Sequence, residues 1–297
     1  MLNELKQLIN EGHIKENVSM RDLTTFRTGG TADVIVYPET LDELKTVVEF
    51  LHECKKEYYV LGNGSNLLVS DEGIRRPIIC LGRNFSTINV FDNCITASSG
   101  ALLSAIARKA LEESLTGFEF AAGIPGTLGG ALMMNAGAYG GEMKNVVEAV
   151  SFMDSTGQQY VISGEEMEFG YRKSALSDTD CIITGASIKL SHGNKEEILA
   201  MMNELAAKRR EKQPLEYPSA GSTFKRPVGY YAGALIEQCN LKGTCFGGAQ
   251  VSEKHAGFII NKGGATTDDI CKLIDKVRNV VLEKHGVELE TEVKYWD

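Results

Sequence analysis

The sequence predicts an α/β protein, with an α+β arrangement of strands and helices in three consecutive blocks. Short apolar strand patterns alternate with amphipathic helix patterns along the chain, and glycine-rich turns separate them. The length of 297 residues is enough for more than one hydrophobic core. We place the blocks at residues 1–81, 82–191 and 195–286, and residues 287–297 form a strand that can return to the first block.

The first block contains four strand patterns and one helix. The strands are expected at Ala32 to Val36, Tyr58 to Leu61, Leu67 to Val69 and Ile78 to Leu81. The sequence from Thr40 to Glu43 has the form of a capping box, in which a hydroxyl and a carboxylate satisfy the first backbone N–H groups of a helix. Leu44, Val47, Val48 and Leu51 follow at helical spacing, which predicts the buried face of that helix.

The second block places one helix between strands and adds a tract rich in glycine. Its strands are expected at Ile95 to Ser98, Ala149 to Met153, Gln159 to Ile162 and Ile182 to Leu190. The helix should bury Leu102, Leu103, Ile106, Ala107, Ala110 and Leu111. Asp154 to Gly157 is typical of a hairpin turn.

The third block begins with a charged helix. Over residues 195–212 we expect Ile198, Met201, Met202 and Leu205 on one face, and Pro214 ends the helix. A second helix is capped between Thr266 and Asp269 and should bury Ile270, Leu273, Ile274, Val277, Val280 and Val281. The segment from 287 to 296 alternates as an edge strand does.

The charge and the hydropathy exclude several classes of partner. A formal net charge of -9 argues against nucleic acid or an anionic membrane as the main partner. Residues 1–20 lack the apolar core of a signal peptide, and no apolar run is long enough to span a bilayer. We therefore expect a cytoplasmic protein. A local basic patch for a phosphorylated ligand is possible between residues 208 and 262, although Lys208 to Lys212 are better explained as solvated surface charges.

The cysteines and histidines predict neither disulfides nor a metal. The seven cysteines are odd in number and form no C-x-x-C pair, which indicates reduced thiols. The five histidines are scattered and form no H-E-x-x-H motif, so we expect no bound metal.

Two glycine clusters predict a nucleotide site. Residues 121–141 contain seven glycines, and Gly62-Asn63-Gly64-Ser65-Asn66 follows a strand directly. Small residues allow a flat ring or a pyrophosphate to approach the main-chain N–H groups. The Rossmann pattern is excluded because Leu67 stands where its third glycine belongs, and no G-K-[ST] occurs. Tight turns between strands are the simpler alternative, which the sequence leaves open.

Several separated motifs follow one another along the chain. They are GNGSNLL from Gly62, AGIPGTLGGA from Ala122, NAGAYG from Asn135, FGYR from Phe169, SAGSTFKRP from Ser219 and GGAQV from Gly247. Together and in this order they resemble the UDP-N-acetylenolpyruvoylglucosamine reductase (MurB) family. The resemblance extends from about Leu23 to Trp296. No long insertion follows Arg172, so the chain is similar to the shorter, type II form, which lacks the loop that carries a substrate-covering tyrosine.

The resemblance implies an FAD-binding fold of the p-cresol methylhydroxylase (PCMH) type, with two α/β subdomains and a C-terminal α/β domain for a UDP-sugar. The residues expected at FAD are Gly62, Asn63, Gly64, Ser65, Asn66, Ala122, Gly123, Pro125, Gly126, Thr127, Gly129, Gly130, Asn135, Ala136 and Gly137. The tract from 121 to 141 contains no histidine or cysteine, so we expect FAD to be bound non-covalently.

The resemblance also implies the reaction and its catalytic residues. FAD passes a hydride from the co-substrate NADPH to the enolpyruvyl double bond of the UDP-N-acetylglucosamine ether, giving UDP-N-acetylmuramate for peptidoglycan. Arg172 matches the arginine that stabilises the charged intermediate, Ser222 the proton donor and Glu292 the remaining catalytic group. Without the motifs, the sequence favours a surface charge for Arg172 and Glu292 and an ordinary turn hydroxyl for Ser222.

Substrate binding is expected from Tyr171, Lys225, Arg226, Gln238 and Lys242. The family often has asparagine at the position of Arg226, so the resemblance supports a substrate-binding role for Arg226 less strongly than for Lys225. Two alternatives remain open at this point. One is another FAD-dependent oxidoreductase on the same fold, and the other is a nucleotide-binding protein without catalysis. The sequence does not predict the oligomeric state.

Overall fold

The computed structural model describes residues 2–297, and Met1, with which the first predicted block begins, lies outside the described residues. The chain forms two compact units. Unit 1 consists of the chain up to Glu16, Val34–Asn63 and Arg76–Lys208, and unit 2 consists of Asn17–Asp33, Gly64–Arg75 and Arg209–Asp297. Each unit is therefore built from segments that are far apart in the sequence.

Helices and strands alternate along the chain. The α-helices in the described part are α1 (Leu2–Leu8), α2 (Leu41–Glu53), α3 (Leu103–Glu112), α4 (Leu128–Met133), α5 (Lys195–Lys212), α6 (Ala232–Gln238) and α7 (Thr267–His285). The strands are β1 (Ile14–Ser19), β2 (Thr31–Val36), β3 (Tyr59–Leu61), β4 (Leu67–Val69), β5 (Ile78–Cys80), β6 (Ile88–Phe91), β7 (Cys94–Ser98), β8 (Leu115–Thr116), β9 (Gly137–Ala138), β10 (Gly141–Glu142), β11 (Val147–Met153), β12 (Gln159–Ser163), β13 (Ile182–Lys189), β14 (Ser191–His192), β15 (Cys245–Phe246), β16 (Ala249–Val251), β17 (Ile259–Asn261) and β18 (Lys294–Trp296). Short 3-10 helices lie at Glu11–His13, Met20–Asp22, Arg83–Phe85, Glu119–Ala121 and Met143–Asn145.

The first strands of the chain form a four-stranded sheet in the order β1-β2-β5-β3. Strands β2 and β3 both run parallel to β5, with Ile35 and Tyr59 on either side of Ile78. Helix α2 covers this part through the predicted apolar face, which is fully buried. The Thr40 hydroxyl caps α2 by accepting from the Glu43 N–H at 3.1 Å, as predicted. The Glu43 carboxylate, however, accepts from the Glu39 N–H at 2.8 Å, so the capping box is not reciprocal.

A five-stranded antiparallel sheet in the order β12-β11-β13-β7-β6 forms the larger core of unit 1. Helices α3 and α4 pack on one face of it. The predicted hairpin between β11 and β12 is confirmed, because the Asp154 carboxylate accepts from the N–H groups of Thr156 and Gln158 at 2.9 and 3.0 Å. Leu102 was placed in the buried face of α3, and this was wrong. It has extended backbone just before the helix and is 42% exposed.

Helix α5 corrects a second prediction. Of the four residues expected on its buried face, only Ile198 is buried, Met202 packs partly against the core, and Met201 is 46% exposed. The four residues are spaced as on one helix face, but the core of unit 1 reaches only the first turns of the helix. The helix ends at Lys212, two residues before Pro214, as expected.

Unit 2 is built on a three-stranded antiparallel sheet in the order β15-β16-β17, against which α7 packs. Its core includes Phe26, Leu235, Val251, Leu273 and Val277. The last predicted strand forms only over β18, which pairs in parallel with β4 through Lys294 opposite Leu67. The end of the chain therefore returns to residues of the first predicted block, and this β4–β18 pair belongs to unit 2.

Helix α7 has two separate caps at its start. The predicted capping box is confirmed, since the Thr266 hydroxyl accepts from the Asp269 N–H at 3.0 Å and the Asp269 carboxylate accepts from the Thr266 N–H at 3.1 Å. The Asp71 carboxylate adds a cap from outside the helix by accepting from the N–H groups of Thr267 and Asp268 at 3.0 and 2.9 Å. Together these carboxylates satisfy donors that the first turn of a helix leaves unpaired.

We expect Asp71→Ala to lower the free energy of unfolding by about 1 to 2 kcal/mol, because two backbone N–H groups of α7 lose their acceptor. Asp275→Ala is the matched control, since Asp275 is exposed within the same helix and caps nothing. It should change the free energy of unfolding by no more than about 0.5 kcal/mol. Denaturant unfolding measures both, and equal effects would contradict the capping role of Asp71.

His13 joins the beginning of the chain to α2. Its Nδ1 lies 2.7 Å from the Glu43 carboxylate and its Nε2 lies 3.2 Å from the Glu39 carboxylate. An imidazole donates from both nitrogens only when it is protonated. The hydrogen bond to Glu43, strengthened by the charges of both glutamates, raises the pKa of His13 above its ordinary value of 6.5.

This raised pKa predicts a pH-dependent contribution to stability. The contribution is fully present below pH 6.5 and is lost as the pH rises through the higher pKa of the folded protein. The difference in unfolding free energy between the wild type and His13→Gln should therefore shrink as the pH rises. His52→Gln, at an exposed position of α2, is measured in parallel as the control for replacing a histidine on this helix. A constant difference for His13→Gln would exclude this contribution.

Among residues 2–297, no helix is both long and apolar enough to cross a membrane. The seven cysteines are all free thiols.

Candidate active site

The two glycine clusters meet in unit 1 through Gly62 and Asn63. The Asn63 side chain donates to the Pro125 carbonyl at 2.7 Å. A β-carbon on Gly62 would overlap the Thr127 hydroxyl. The end of β3 therefore lies directly against the middle of the glycine tract, just before α4.

Some of these glycines are required by packing within the protein. A β-carbon on Gly129 would lie 2.9 Å from the Ser99 β-carbon, and one on Gly137 would lie 2.6 Å from the Gly141 carbonyl oxygen. These separations are too short for any side chain. At these positions the simpler alternative, close packing of backbone, is sufficient to explain the glycine.

Other small residues of the tract face open space. Gly123, Pro125 and Gly130 are exposed, and the nearest atom to a β-carbon on Gly130 would be the Thr127 hydroxyl at 3.7 Å. Together with Gly62 and Asn63 they form an accessible surface without large side chains, which we call the glycine surface. A flat ring can lie against such a surface and reach main-chain groups, so these residues fit FAD.

Arg172 lies on a tight turn in unit 1. Gly170 and Lys173 pair across the turn, with the Gly170 N–H donating to the Lys173 carbonyl at 2.9 Å, so Tyr171 and Arg172 form its tip. Arg172 has a φ of 55°, in the left-handed region. Its guanidinium lies 5.4 Å from the centre of the Tyr171 ring, and Tyr171 is 57% exposed.

Ser222 and Glu292 are brought close together in unit 2. Phe224 and Thr291 pair as an antiparallel bridge, and the Glu292 N–H donates to the carbonyl of Thr223, the residue after Ser222, at 2.8 Å. Both Ser222 and Glu292 are half-buried. Segments more than sixty residues apart are thus joined backbone to backbone, which places the two catalytic candidates on neighbouring extended segments.

Residues 64–66 of the first glycine cluster contact the segment that carries Glu292. The Asn66 side chain donates to the Glu292 carbonyl at 3.0 Å, and the Asn66 carbonyl accepts from the Lys294 N–H at 3.0 Å. Gly64 has a φ of 59° and packs against the Leu23 carbonyl, where a β-carbon would not fit. Ser65 is half-buried between them. A cluster predicted for a cofactor therefore also holds the backbone of Glu292.

Four of the predicted substrate-binding residues, all except Tyr171, lie near the surface of unit 2. Lys225 forms an ion pair with Glu290 at 2.9 Å, and Lys242 pairs with Glu237. The Arg226 guanidinium lies 4.0 Å from the centre of the Tyr231 ring. Gln238 is exposed at the end of α6. These groups are accessible, and their ion pairs are of the exposed kind that stabilises a protein little.

The structure brings the predicted residues together in two sets. Gly62, Asn63, the glycine surface and the Arg172 turn belong to unit 1, whereas Asn66, Ser222, Lys225 and Glu292 belong to unit 2. The meeting of Arg172 with Ser222 and Glu292 stays a prediction. Sequence reasoning missed the role of Asn66 as a support of Glu292, because a bond between residues so far apart leaves no local pattern.

A polar cavity of about 550 Å³ in unit 1 contains none of the predicted site residues. It is lined largely by hydroxyl and amide side chains of the five-stranded sheet, with the stacked rings of Phe152 and Tyr160 at one side. The glycine surface, where small exposed residues of both clusters meet, stays the predicted cofactor site.

Comparison with known proteins identifies the class. The chain matches an FAD binding domain over residues 32–163, which includes the glycine surface. It also matches the C-terminal domain of UDP-N-acetylenolpyruvoylglucosamine reductase over residues 213–296, which includes Ser222 and Glu292. The fold and these matches define a flavin-dependent oxidoreductase that binds FAD, which confirms the predicted α/β FAD-binding fold and the predicted cofactor.

Relatives over nearly the whole length identify the family. UDP-N-acetylenolpyruvoylglucosamine reductase of Caldanaerobacter subterraneus is 51% identical over 99% of this chain and 97% of its own length. The reductase of Clostridioides difficile is 49% identical over 98% of this chain and 95% of its own. The crystal structure of the reductase (MurB) from Thermus caldophilus is 39% identical with a TM-score of 0.82, covering 94% of this chain and 98% of that chain. The chain belongs to the UDP-N-acetylenolpyruvoylglucosamine reductase family, as its motifs predicted.

Proposed function

We propose that this chain uses NADPH to reduce the enolpyruvyl ether of UDP-N-acetylglucosamine to UDP-N-acetylmuramate, in the cytoplasm, for peptidoglycan synthesis. One observation carries the proposal. The similarity to the reductases extends through residues 213–296 and does not end with the FAD-binding part. This argues against other FAD enzymes on the same fold, for which only the cofactor part would be shared. It also argues against a protein without catalysis, since Arg172, Ser222 and Glu292 are all retained.

FAD, bound at the glycine surface, would supply the hydride chemistry between NADPH and the substrate. The residues that would hold it non-covalently are Gly62 to Asn66, Ala122, Gly123, Pro125 to Thr127, Gly129 and Gly130, with the main chain of Asn135 to Gly137 behind them. The protein has to orient the substrate, stabilise the negative charge that develops beside its carboxylate and deliver a proton.

Arg172 is the group that we assign to the developing charge. A planar guanidinium can bind a carboxylate through two hydrogen bonds, and its charge does not depend on pH in the physiological range. Placed beside the enolpyruvyl carboxylate, it stabilises the enolate form more than the ground state, which is the condition for acceleration. Arg172 is half-buried at the tip of the Gly170 to Lys173 turn, next to the exposed Tyr171.

Ser222 is the proposed proton donor, and Glu292 is proposed to assist it. A hydroxyl is a weak acid, but the carbanion next to a carboxylate is a strong base, so the transfer is feasible in a site that excludes water. The Glu292 backbone is held by Thr223 on one side and by Asn66 on the other. This double attachment holds the backbone of Glu292 beside the Ser222 segment.

We propose that the UDP part binds to unit 2 at Lys225, Arg226, Gln238 and Lys242, with Tyr171 contributing from the Arg172 turn. The ion partners of Lys225 and Lys242 are exposed glutamates, and a diphosphate can replace such partners at small cost. In this assignment residues 1–81 and 82–191 are the two FAD-binding subdomains, and residues 195–286 bind the substrate.

The test is a direct assay of the purified protein with bound FAD. Loss of NADPH absorbance should depend on addition of the enolpyruvyl ether of UDP-N-acetylglucosamine, and the product should carry a lactyl ether. UDP-N-acetylglucosamine itself, which lacks the double bond, serves as the control substrate and should give no such loss. A protein that binds FAD and consumes no NADPH with the enolpyruvyl substrate would overturn the proposal.

A further inference from the structure

The Asn135 side chain forms all its hydrogen bonds within the protein. Its amide nitrogen donates to the Glu142 carboxylate at 2.6 Å and to the Gly170 carbonyl at 3.1 Å, and its amide oxygen accepts from the Lys144 N–H at 3.0 Å. Asn135 is 2% exposed. Both amide hydrogens and the oxygen are therefore occupied, and the side chain joins the end of α4 to the first residue of the Arg172 turn.

The Arg172 turn needs such support because its backbone is unfavourable for arginine. Arg172 has a φ of 55° at the second tip position, where turns with a positive φ favour glycine or asparagine. A side chain other than these costs about 1 to 2 kcal/mol in the left-handed region. The conformation is retained only where the surroundings hold it, and residues of this kind are concentrated at functional sites.

The other end of the turn is attached to the same helix end. The hydroxyls of Ser174 and Ser177 both donate to the Met133 carbonyl, at 3.0 and 2.6 Å, and the Ser174 N–H donates to the Ser177 hydroxyl at 2.8 Å. Met133 is the last residue of α4, and Ser174 is 1% exposed. The turn is thus attached at one end to the last residue of α4 and at the other to Asn135, which follows the helix closely; the first residues of α4 border the glycine surface.

From this geometry we propose that Asn135 is a positioning residue for Arg172, and that its side chain does not itself contact FAD or substrate. The proposal rests on the proposed function, because it requires Arg172 to bind the substrate carboxylate. Helix α4 has six residues and is therefore roughly 9 Å long, at about 1.5 Å per residue; its start borders the glycine surface and its end holds the turn. Loss of the Asn135 bonds would let the turn relax and move the guanidinium.

The test uses Asn135→Gly in the full chain with bound FAD. Asn135 has a φ of 45°, so glycine keeps the backbone conformation and removes only the side chain. We expect normal FAD content and normal flavin reduction by NADPH, and roughly 10- to 100-fold slower reoxidation of the reduced enzyme by the enolpyruvyl substrate. If Asn135 served only in folding, the variant would have a lower melting temperature and a lower FAD content, and both half-reactions would be affected alike.

A double-mutant comparison tests whether the effect passes through Arg172. In an Arg172→Ala background, Asn135→Gly should cause no further slowing of the second half-reaction. Equal slowing in both backgrounds would overturn the positioning role and leave the proposed function intact. A wild type inactive towards the enolpyruvyl substrate would instead overturn the proposed function.

Two further variants complete the test. Asn145→Ala removes another asparagine side chain of the same loop, one that accepts from the Glu142 N–H and makes no bond to the Arg172 turn. It should leave both half-reactions within about twofold. If Asn135→Gly does not fold, Ser177→Ala removes a bond at the other end of the turn and should slow the second half-reaction selectively. An unchanged second half-reaction in folded Ser177→Ala would then count against the positioning of Arg172 by the end of α4.

Discussion

Ser222→Ala should slow the second half-reaction, in which the reduced enzyme is reoxidised by the enolpyruvyl substrate, by about 10²- to 10⁴-fold. This is the range expected when a positioned proton donor is removed. Reduction of the enzyme by NADPH needs no proton from Ser222, so that half-reaction should keep its wild-type rate. Stopped-flow absorbance of the flavin separates the two half-reactions.

Ser219→Ala is the matched control for this substitution. Ser219 lies three residues earlier in the same segment and is half-buried, as Ser222 is. Its removal should leave both half-reactions near their wild-type rates. If Ser222→Ala also leaves both rates unchanged, Ser222 is not the proton donor.

Arg172→Ala should slow the second half-reaction by about 10²- to 10³-fold, because the charge that stabilises the enolate is lost. Arg172→Gly removes the same guanidinium at a φ of 55°, where glycine carries no strain. It should show the same kinetic loss, and a free energy of unfolding up to about 1 kcal/mol higher than that of the alanine variant. The two variants are thus expected to have the same activity and different stabilities.

Two control variants test whether the effect depends on the shape of the cationic group and on its position in the turn. Arg172→Lys keeps the charge and loses the planar fork, so its rate should lie between those of the wild type and the alanine variant. Lys173→Ala removes the adjacent cation, which is exposed and paired with Asp178, and should change the rate little. A second half-reaction that is unaffected in both Arg172→Ala and Arg172→Gly would exclude the proposed role of the arginine.

Local sequence patterns predicted the elements whose burial and capping are decided locally. The apolar face of α7 and its capping box between Thr266 and Asp269 were predicted correctly, because hydrophobic spacing and cap chemistry lie within a few residues. For α5 the prediction was wrong beyond the first turns, because it placed residues in the core that are not buried there. Helical spacing shows which residues share a face, but it does not show how far the core extends along it.

The contacts between distant segments could not be predicted from local patterns. The cap that Asp71 provides to Thr267 spans 196 residues, and the bond from Asn66 to Glu292 spans 226. For the candidate site, the motifs selected Arg172, Ser222 and Glu292 among many polar residues. They did not reveal that Arg172 has a left-handed backbone or that Asn135 is fully bonded inside the protein.

The parallel pair of β4 with β18 has a consequence for synthesis of the protein on the ribosome. Unit 2 takes segments from residues 17–33 and 64–75 and completes them with residues 209–297. The apolar strand β4 therefore has no partner strand until residues 294–296 have been synthesised and have left the ribosome. During that interval the nascent chain has an unpaired, hydrophobic strand, a state in which chaperones bind and misfolding begins.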